Sequence, residues 1–290
     1  MTAPTSHGFG AILRSCARDP KVVVGGGFVA LLIVVALTAP LLSPRDPLEQ
    51  DLILGVTPPH GFAGAEPGYW LGTDDLGRDV LSRAIYGSRV ALAVAFVAAT
   101  LAAILGATLG LLAGWYRGWV DIVISRLVEI WMAFPPVLLS ILLVAVVGAG
   151  VGSVIGAIVI IDWTRFCRVV RAETMGQAQS DYVTAARAIG FARMRILTRE
   201  IFPNMLPVLI ALVSLEMGIA VIVEAILSFI GLSVSSDTPT WGGMIAQGRQ
   251  MLHQGWWVLA VPLAPLFLTV LAFNWLGEGL RRALDPVMRR

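Results

Sequence analysis

Six apolar runs, each about long enough to cross a bilayer, constrain this chain more than anything else in it. The first, 22–42, holds 21 residues without a charge. At about 1.5 Å per helical residue it covers the roughly 30 Å of a hydrocarbon core. The others are 90–115, rich in Ala, Leu and Gly, then 124–147, 151–169, 206–230 and 256–276. Composition agrees: 57% hydrophobic, 14% charged and a mean hydropathy of +0.81 are far from a soluble domain. Pro135-Pro136 is expected to kink the third run, or to separate a short in-plane start from the true span. A tight Gly148-Ala149-Gly150 turn joins the third and fourth. A signal peptide would share the basic start and apolar run of 22–42, but this run is long and lacks a clear cleavage site.

The expected fold is therefore all-α and membrane-integral, with six transmembrane helices. Six spans put both termini on one side. Arg14, Arg18, Lys21, Arg117, Arg126, Arg168, Arg171, Arg187, Arg193, Arg195, Arg199, Arg281, Arg282, Arg289 and Arg290 then share a face. Arg45, Arg78, Arg83, Arg89 and Arg249 are left on the other. The excess of basic residues marks the first face as cytoplasmic. The expected layout is a cytoplasmic segment 1–21, a six-helix transmembrane domain 22–280 and a cytoplasmic tail 281–290. Within the domain, 43–88 and 231–255 are outer loops and 172–205 is a cytoplasmic loop.

Inside that cytoplasmic loop lies a polar, arginine-rich island, 181–207, that reads as two short helices with a glycine between them. Tyr182, Ala185, Ala186 and Ile189 recur at i, i+3, i+4, i+7 and make one apolar face. Ser180 is placed to cap the first helix, and Gly190 permits a sharp turn. Met194, Leu197 and Ile201 mark one side of the second helix, which Pro203 and Pro207 are expected to break. A helix–Gly–helix exposed between membrane spans is suited to binding another protein.

The island resembles the coupling loop of ABC-importer permeases, whose pattern is E-A-A-x3-G-x9-I-x-L-P. Thr184, Ala185, Ala186, Gly190 and Pro203 occupy matching positions, while Thr184 replaces Glu, Glu200 replaces Ile and Phe202 replaces Leu. The run WLGTDDLGRDVLSRAIYGSR, starting at Trp70, is similar to a signature of the C-type permease subunit of dipeptide, oligopeptide and nickel importers. Read physically it is a turn at Gly72, a cap near Asp74 and a short surface helix. Two further matches run from Leu227 through Trp241 to Gln250, and from Ala272 to Pro286. On these motifs the chain is identified as a member of that family, over roughly 20–288.

The resemblance implies the type I permease fold of a binding-protein-dependent importer, with di- or oligopeptides as substrate. It implies a homologous B-type permease, two ATPase subunits or domains and an extracytoplasmic substrate-binding protein as partners. ATP and magnesium belong to the ATPases and no cofactor to this chain. The contact with the ATPase falls on Asp181, Thr184, Ala185, Ala186, Arg187, Gly190 and Pro203. Nickel, glutathione or opine importers of the same family are the alternative, and a stand-alone secondary transporter or channel is the rival from another class.

The residues bound the chemistry in other ways. Lys21 is the only lysine and no G-x4-G-K precedes it, so no phosphate-binding loop of that kind is present. His7, His60 and His253 lack metal-ligand spacing, and no nucleophile–base pair stands out. Cys16 and Cys167 lie far apart on the expected cytoplasmic side, which speaks against a disulfide framework. Gly25-Gly26-Gly27 is expected to serve helix packing. The terminal arginines suit anionic lipid rather than nucleic acid.

Acids within the spans are costly, about 2.5–3.5 kcal/mol each on insertion scales, and need a reason. Glu129 and Glu224 are expected to be structural. Asp162 and Glu216, near mid-depth, are the candidates for lining a translocation path that favours a cationic group, against hydrogen bonding to a neighbouring helix or to Arg165.

Overall fold

The computed structural model describes residues 16–233 and 238–284. Arg14, Arg289, Arg290, Asp285 and Pro286, with His7, lie outside them. Among the described residues there is no strand, only an isolated bridge between Thr73 and Asp79. Besides the single turn Ala39–Leu42, the helices among the described residues are α1 Pro20–Leu37, α2 Val80–Tyr116, α3 Gly118–Met132, α4 Pro136–Val147, α5 Val151–Gln177, α6 Asp181–Ala188, α7 Arg193–Phe229, α8 Trp241–Gln250 and α9 Trp256–Leu284. The expected runs fall in order on α1, α2, the α3–α4 pair, α5, α7 and α9. By length and apolar composition, α1, α2, α7 and α9 each suffice to cross a membrane, and α3–α4 do so as a pair bent by 86°. α5 has 27 residues but carries Asp162, Arg165, Arg168 and Arg171.

The break between α3 and α4 is where Pro135-Pro136 places it. Pro136 opens α4, where its missing N–H costs nothing. The 12 residues of α4 rise only about 18 Å, too little to cross hydrocarbon alone. The exposed Ile122, Val123, Leu127, Leu138 and Leu142 leave this pair with an apolar outer surface suited to lipid or another membrane chain.

α2 starts ten residues before the expected span. Asp79 caps it, accepting from the Ser82 amide at 2.8 Å. The expected short surface helix is instead the buried first turns of this 37-residue helix. Its main partner is α5. Gly106, Gly110 and Gly114, four residues apart, form the contact: a Cβ on each would stand 2.2 Å from the Trp163 carbonyl, 2.6 Å from the Cys167 carbonyl and 2.7 Å from Thr174 Cβ. Small residues at this spacing let helix backbones touch where no hydrophobic effect drives them together. α1 meets α9 in the same way, with Gly25 placed 2.7 Å (as a Cβ) from the Ala272 carbonyl, while Gly27 faces open space.

The expected break at Pro203 and Pro207 does not occur. α7 runs through both, and just before Pro203 the segment Ile196–Ile201 forms a π turn in which the Phe202 amide donates to the Leu197 carbonyl. The wider turn relaxes the ladder just where a proline ring would strike the carbonyl four residues back.

Candidate functional site

The arginine-rich island packs at the end of α2. Val183 and Ala186 of α6 are buried in a cluster with Trp115, Ile196, Leu197 and Ile201. Tyr182 and Ile189 point outward, 36% and 69% exposed, as do Asp181, Thr184, Ala185, Arg187, Gly190 and Pro203. The apolar face read from the sequence is thus mostly free. Ala186 departs from it and packs inward. Ser180 has extended, cap-like backbone, but its hydroxyl donates to the Gln177 carbonyl at 2.6 Å and leaves the helix amides alone. Gly190 sits at φ +85 with nothing within 4 Å of a would-be Cβ. The Phe191 amide then closes α6 by donating to the Ala186 carbonyl at 3.1 Å.

Arginines dominate the charge on this surface, beside the exposed Asp181. Arg187 stacks on Trp115 and Arg195 on Phe191, 4.9 and 4.0 Å from the ring centroids. Arg117, Arg187 and Arg193 border a cavity of about 510 Å³ between α2 and α6. Among the described residues, none of Arg117, Arg187, Arg193, Arg195 or Arg199 has a carboxylate at ion-pair distance.

A second set of charges lies between α5 and α7. Glu216 is fully buried, and Arg165 Nη1 donates to its Oε2 at 2.9 Å. Its Oε1 has no hydrogen-bond partner. The Asp162 carboxyl, 7% exposed, lies beside that of Glu216. Asp162 and Arg165 also border a cavity of about 630 Å³ that reaches Trp131, Phe134 and Pro136 at the α3–α4 break. Arg171 grips Asp121 through both guanidinium arms and ties α5 to α3. The other two acids are simpler. Glu129 pairs with Arg126 in the open, and Glu224 is buried and accepts from Ser228 and Ser233 hydroxyls at 2.6 and 3.2 Å.

The signature residues converge at the opposite end of α2. Asp74 Oδ1 accepts from the Leu76 and Arg78 amides, both at 3.0 Å, and Oδ2 from Arg78 Nε at 2.8 Å. Arg83 Nε stands 3.5 Å from the same oxygen, and all three side chains are buried. Trp241 donates to the Ala84 carbonyl at 2.9 Å and Trp257 to the Thr73 carbonyl at 3.0 Å. Gly72 turns at φ +76 with a Cβ position 2.5 Å from the Thr57 carbonyl. These residues build a polar cap that holds loop, α2, α8 and α9 together. Sequence reading found the motif without this role. It also missed Arg168 and the Gly106–Gly110–Gly114 row, which the four-residue spacing could have exposed.

Comparisons with known proteins match this architecture. Residues 106–290 match the family described as binding-protein-dependent transport system inner membrane component. Residues 10–59 match the N-terminal TM domain of oligopeptide transport permease C. The dipeptide transport system permease protein DppC of Escherichia coli K12 is 42% identical over 273 residues, covering 94% of this chain and 91% of that one. The di/tripeptide transport system permease protein DppC of Pseudomonas aeruginosa UCBPP-PA14 is 38% identical, covering 95% and 91%. The glutathione transport system permease protein GsiD of Pectobacterium atrosepticum is also 38% identical, covering 95% and 90%. In fold, the chain is similar to an inward-facing form of the MetNI methionine ABC transporter, with TM-score 0.59 at 20% identity over 71% of this chain and 97% of that one.

Proposed function

The chain belongs to the binding-protein-dependent transport system inner membrane components, and from that membership we propose that it forms half of the translocation path of an ATP-driven importer of short peptides. It is a multi-pass permease subunit of the inner membrane. A homologous permease supplies the other half of the path, two ATPase subunits or domains bind ATP and magnesium on the cytoplasmic side, and an extracytoplasmic protein delivers the substrate. Both termini and the arginine-rich island face the cytoplasm, and the polar cap faces outward.

One observation carries the coupling role. α6 anchors itself through Val183 and Ala186 and leaves Tyr182, Ala185, Arg187, Ile189 and Gly190 free beside arginines without carboxylate partners. A partner that covers apolar side chains and presents acidic ones fits it, and Asp181, Thr184 and Pro203 border the same surface. Asp162 and Glu216 are assigned to the path, where they favour a positively charged group.

The peptide class is supported by the names of the two dipeptide and di/tripeptide relatives. Glutathione import is the second reading, favoured by the Pectobacterium relative, and it keeps the same chemistry of one α-ammonium with carboxylates. The test is isolation of this chain from native membranes in mild detergent. Copurifying ATPases, a second permease and a ligand-loaded binding protein are expected, and the eluted ligand names the substrate. A folded chain that comes out alone sinks the proposal.

A further inference from the structure

The cavity at the α3–α4 break carries a charge pattern that the coupling role leaves unused. Four ionisable side chains border it: Asp162, Arg165, Arg168 and Arg171, all on α5. Two of them are already paired outside the cavity. Arg165 is held by Glu216 at 2.9 Å and Arg171 by Asp121. Two remain without an ion-pair partner among the described residues, Asp162 and Arg168. The Arg168 guanidinium is exposed, and among the described residues its one polar contact is Met132 Sδ at 3.3 Å.

α3 brings Asp121, held by Arg171, and Arg126 and Glu129, which pair with each other, Glu129 bordering an adjoining pocket with Arg168. α1 beyond Lys21, α2 beyond Arg89, the whole of α4 and α9 before Glu278 contain no acidic or basic residue. α7 contributes Glu216, whose carboxyl lies beside that of Asp162 and accepts from Arg165. Arg168 follows Asp162 by six residues, which is about 9 Å along the helix axis. The remaining lining is largely uncharged, with Trp131, Phe134 and Pro136 opposite. A volume of about 630 Å³ is ordinary for a small-molecule pocket, where a few fixed polar groups set orientation.

An acid and a base without ion-pair partners, both bordering one pocket, match a ligand that carries a cation and an anion. We infer that this cavity is a transit subsite for short zwitterionic peptides, in which Asp162 takes the α-ammonium and Arg168 the terminal carboxylate. The inference rests on the peptide-importer reading. Arg165 and Arg171 act as positioning residues: their partners hold them, and they keep the helix face in place without competing for the ligand. Glu216 packs behind Asp162.

The experiment uses the assembled importer with its binding protein in proteoliposomes and radiolabelled dialanine and dialanine amide as probes. Maximal uptake is measured at saturating binding protein for wild type, Asp162→Asn, Arg168→Gln and the control Arg126→Gln, whose side chain lies outside the cavity. Dialanine uptake is expected to fall about tenfold in each cavity variant, as loss of one charge-assisted contact gives. Complex yield and half-saturating concentration stay at wild-type values. Any wild-type preference for the free carboxylate over the amide shrinks in Arg168→Gln and persists in Arg126→Gln, which a merely structural role for Arg168 would not produce. Wild-type uptake of dialanine with an unchanged rate and preference in Arg168→Gln overturns the subsite alone. A wild-type importer that assembles but moves neither probe overturns the peptide reading and the subsite with it.

Discussion

Arg187 of α6 lays its guanidinium over the ring of Trp115, the penultimate residue of α2, 4.9 Å from the ring centroid. The contact joins the exposed helix of the arginine-rich island to the end of a 37-residue helix. Trp115 is buried and Arg187 is exposed, so the arginine can hold α6 and still meet a partner.

Arg187→Ala is therefore expected to split two readouts. An exposed cation–π contact is worth about 0.5–1 kcal/mol, so the thermal midpoint of the detergent-solubilised chain should move little. Retention of the ATPases during affinity purification should fall clearly, and raising salt should weaken retention in the wild type, because the neighbouring arginines are solvent-exposed charges. Equal retention in variant and wild type at all salt concentrations would count against an electrostatic interface.

Gly190→Arg tests the turn. Its φ of +85 resists any side chain, and the open space around it means that the new arginine projects into the partner's volume. Membrane insertion at wild-type level with loss of transport-coupled ATP hydrolysis is the expected result. Gly190→Ala should cost about 1 kcal/mol from the backbone alone and keep coupling. Wild-type transport by Gly190→Arg would remove this turn from the interface.

The two signatures of function were unequally legible. The island, its glycine turn and the break at Pro135-Pro136 follow from local rules, since glycine, proline and helical spacing act within a few residues. The start of α2 was hidden because Arg83, Ser88 and Arg89 look like loop residues, and only the folded loop shows that Asp74 absorbs the charge of Arg83. Pro203 and Pro207 suggested a stop, but a π turn upstream accommodates Pro203 and the helix continues through Pro207, and nothing in the apolar pattern announces it. Which face of α6 is free depended on Val183, whose burial comes from Trp115 and Ile196, residues distant in sequence.

Asp74→Asn should be among the most damaging substitutions of similar shape in the chain. It leaves Arg78 and Arg83 buried without their carboxylate, a loss of about 3–5 kcal/mol for a broken buried pair. Asp75→Asn, one residue on and exposed, should change stability little. Thermal unfolding of both purified variants, followed by tryptophan fluorescence, checks this, and equal midpoints would refute the buried-charge account.

Gly110→Leu should disrupt the α2–α5 contact, where even a Cβ lies 2.6 Å from a carbonyl. Overpacking costs about 1–3 kcal/mol where the surroundings can shift, and here the obstacle is backbone. Gly152→Leu on α5 faces open space and serves as the control. The yield of monodisperse protein in size-exclusion chromatography should fall for the first and hold for the second.

The 37 residues of α2 make it roughly 55 Å long, with the buried Asp74–Arg78–Arg83 cap rooted at one tip and the Trp115–Arg187 stack at the other. A tilt of about 10° about one tip would carry the other about 10 Å sideways over that length. A push on α6 is thus spread through the full thickness of the bilayer, greatest beside α6 and fading toward the signature residues, which would act as a fulcrum, clenched hard so that the rest can swing.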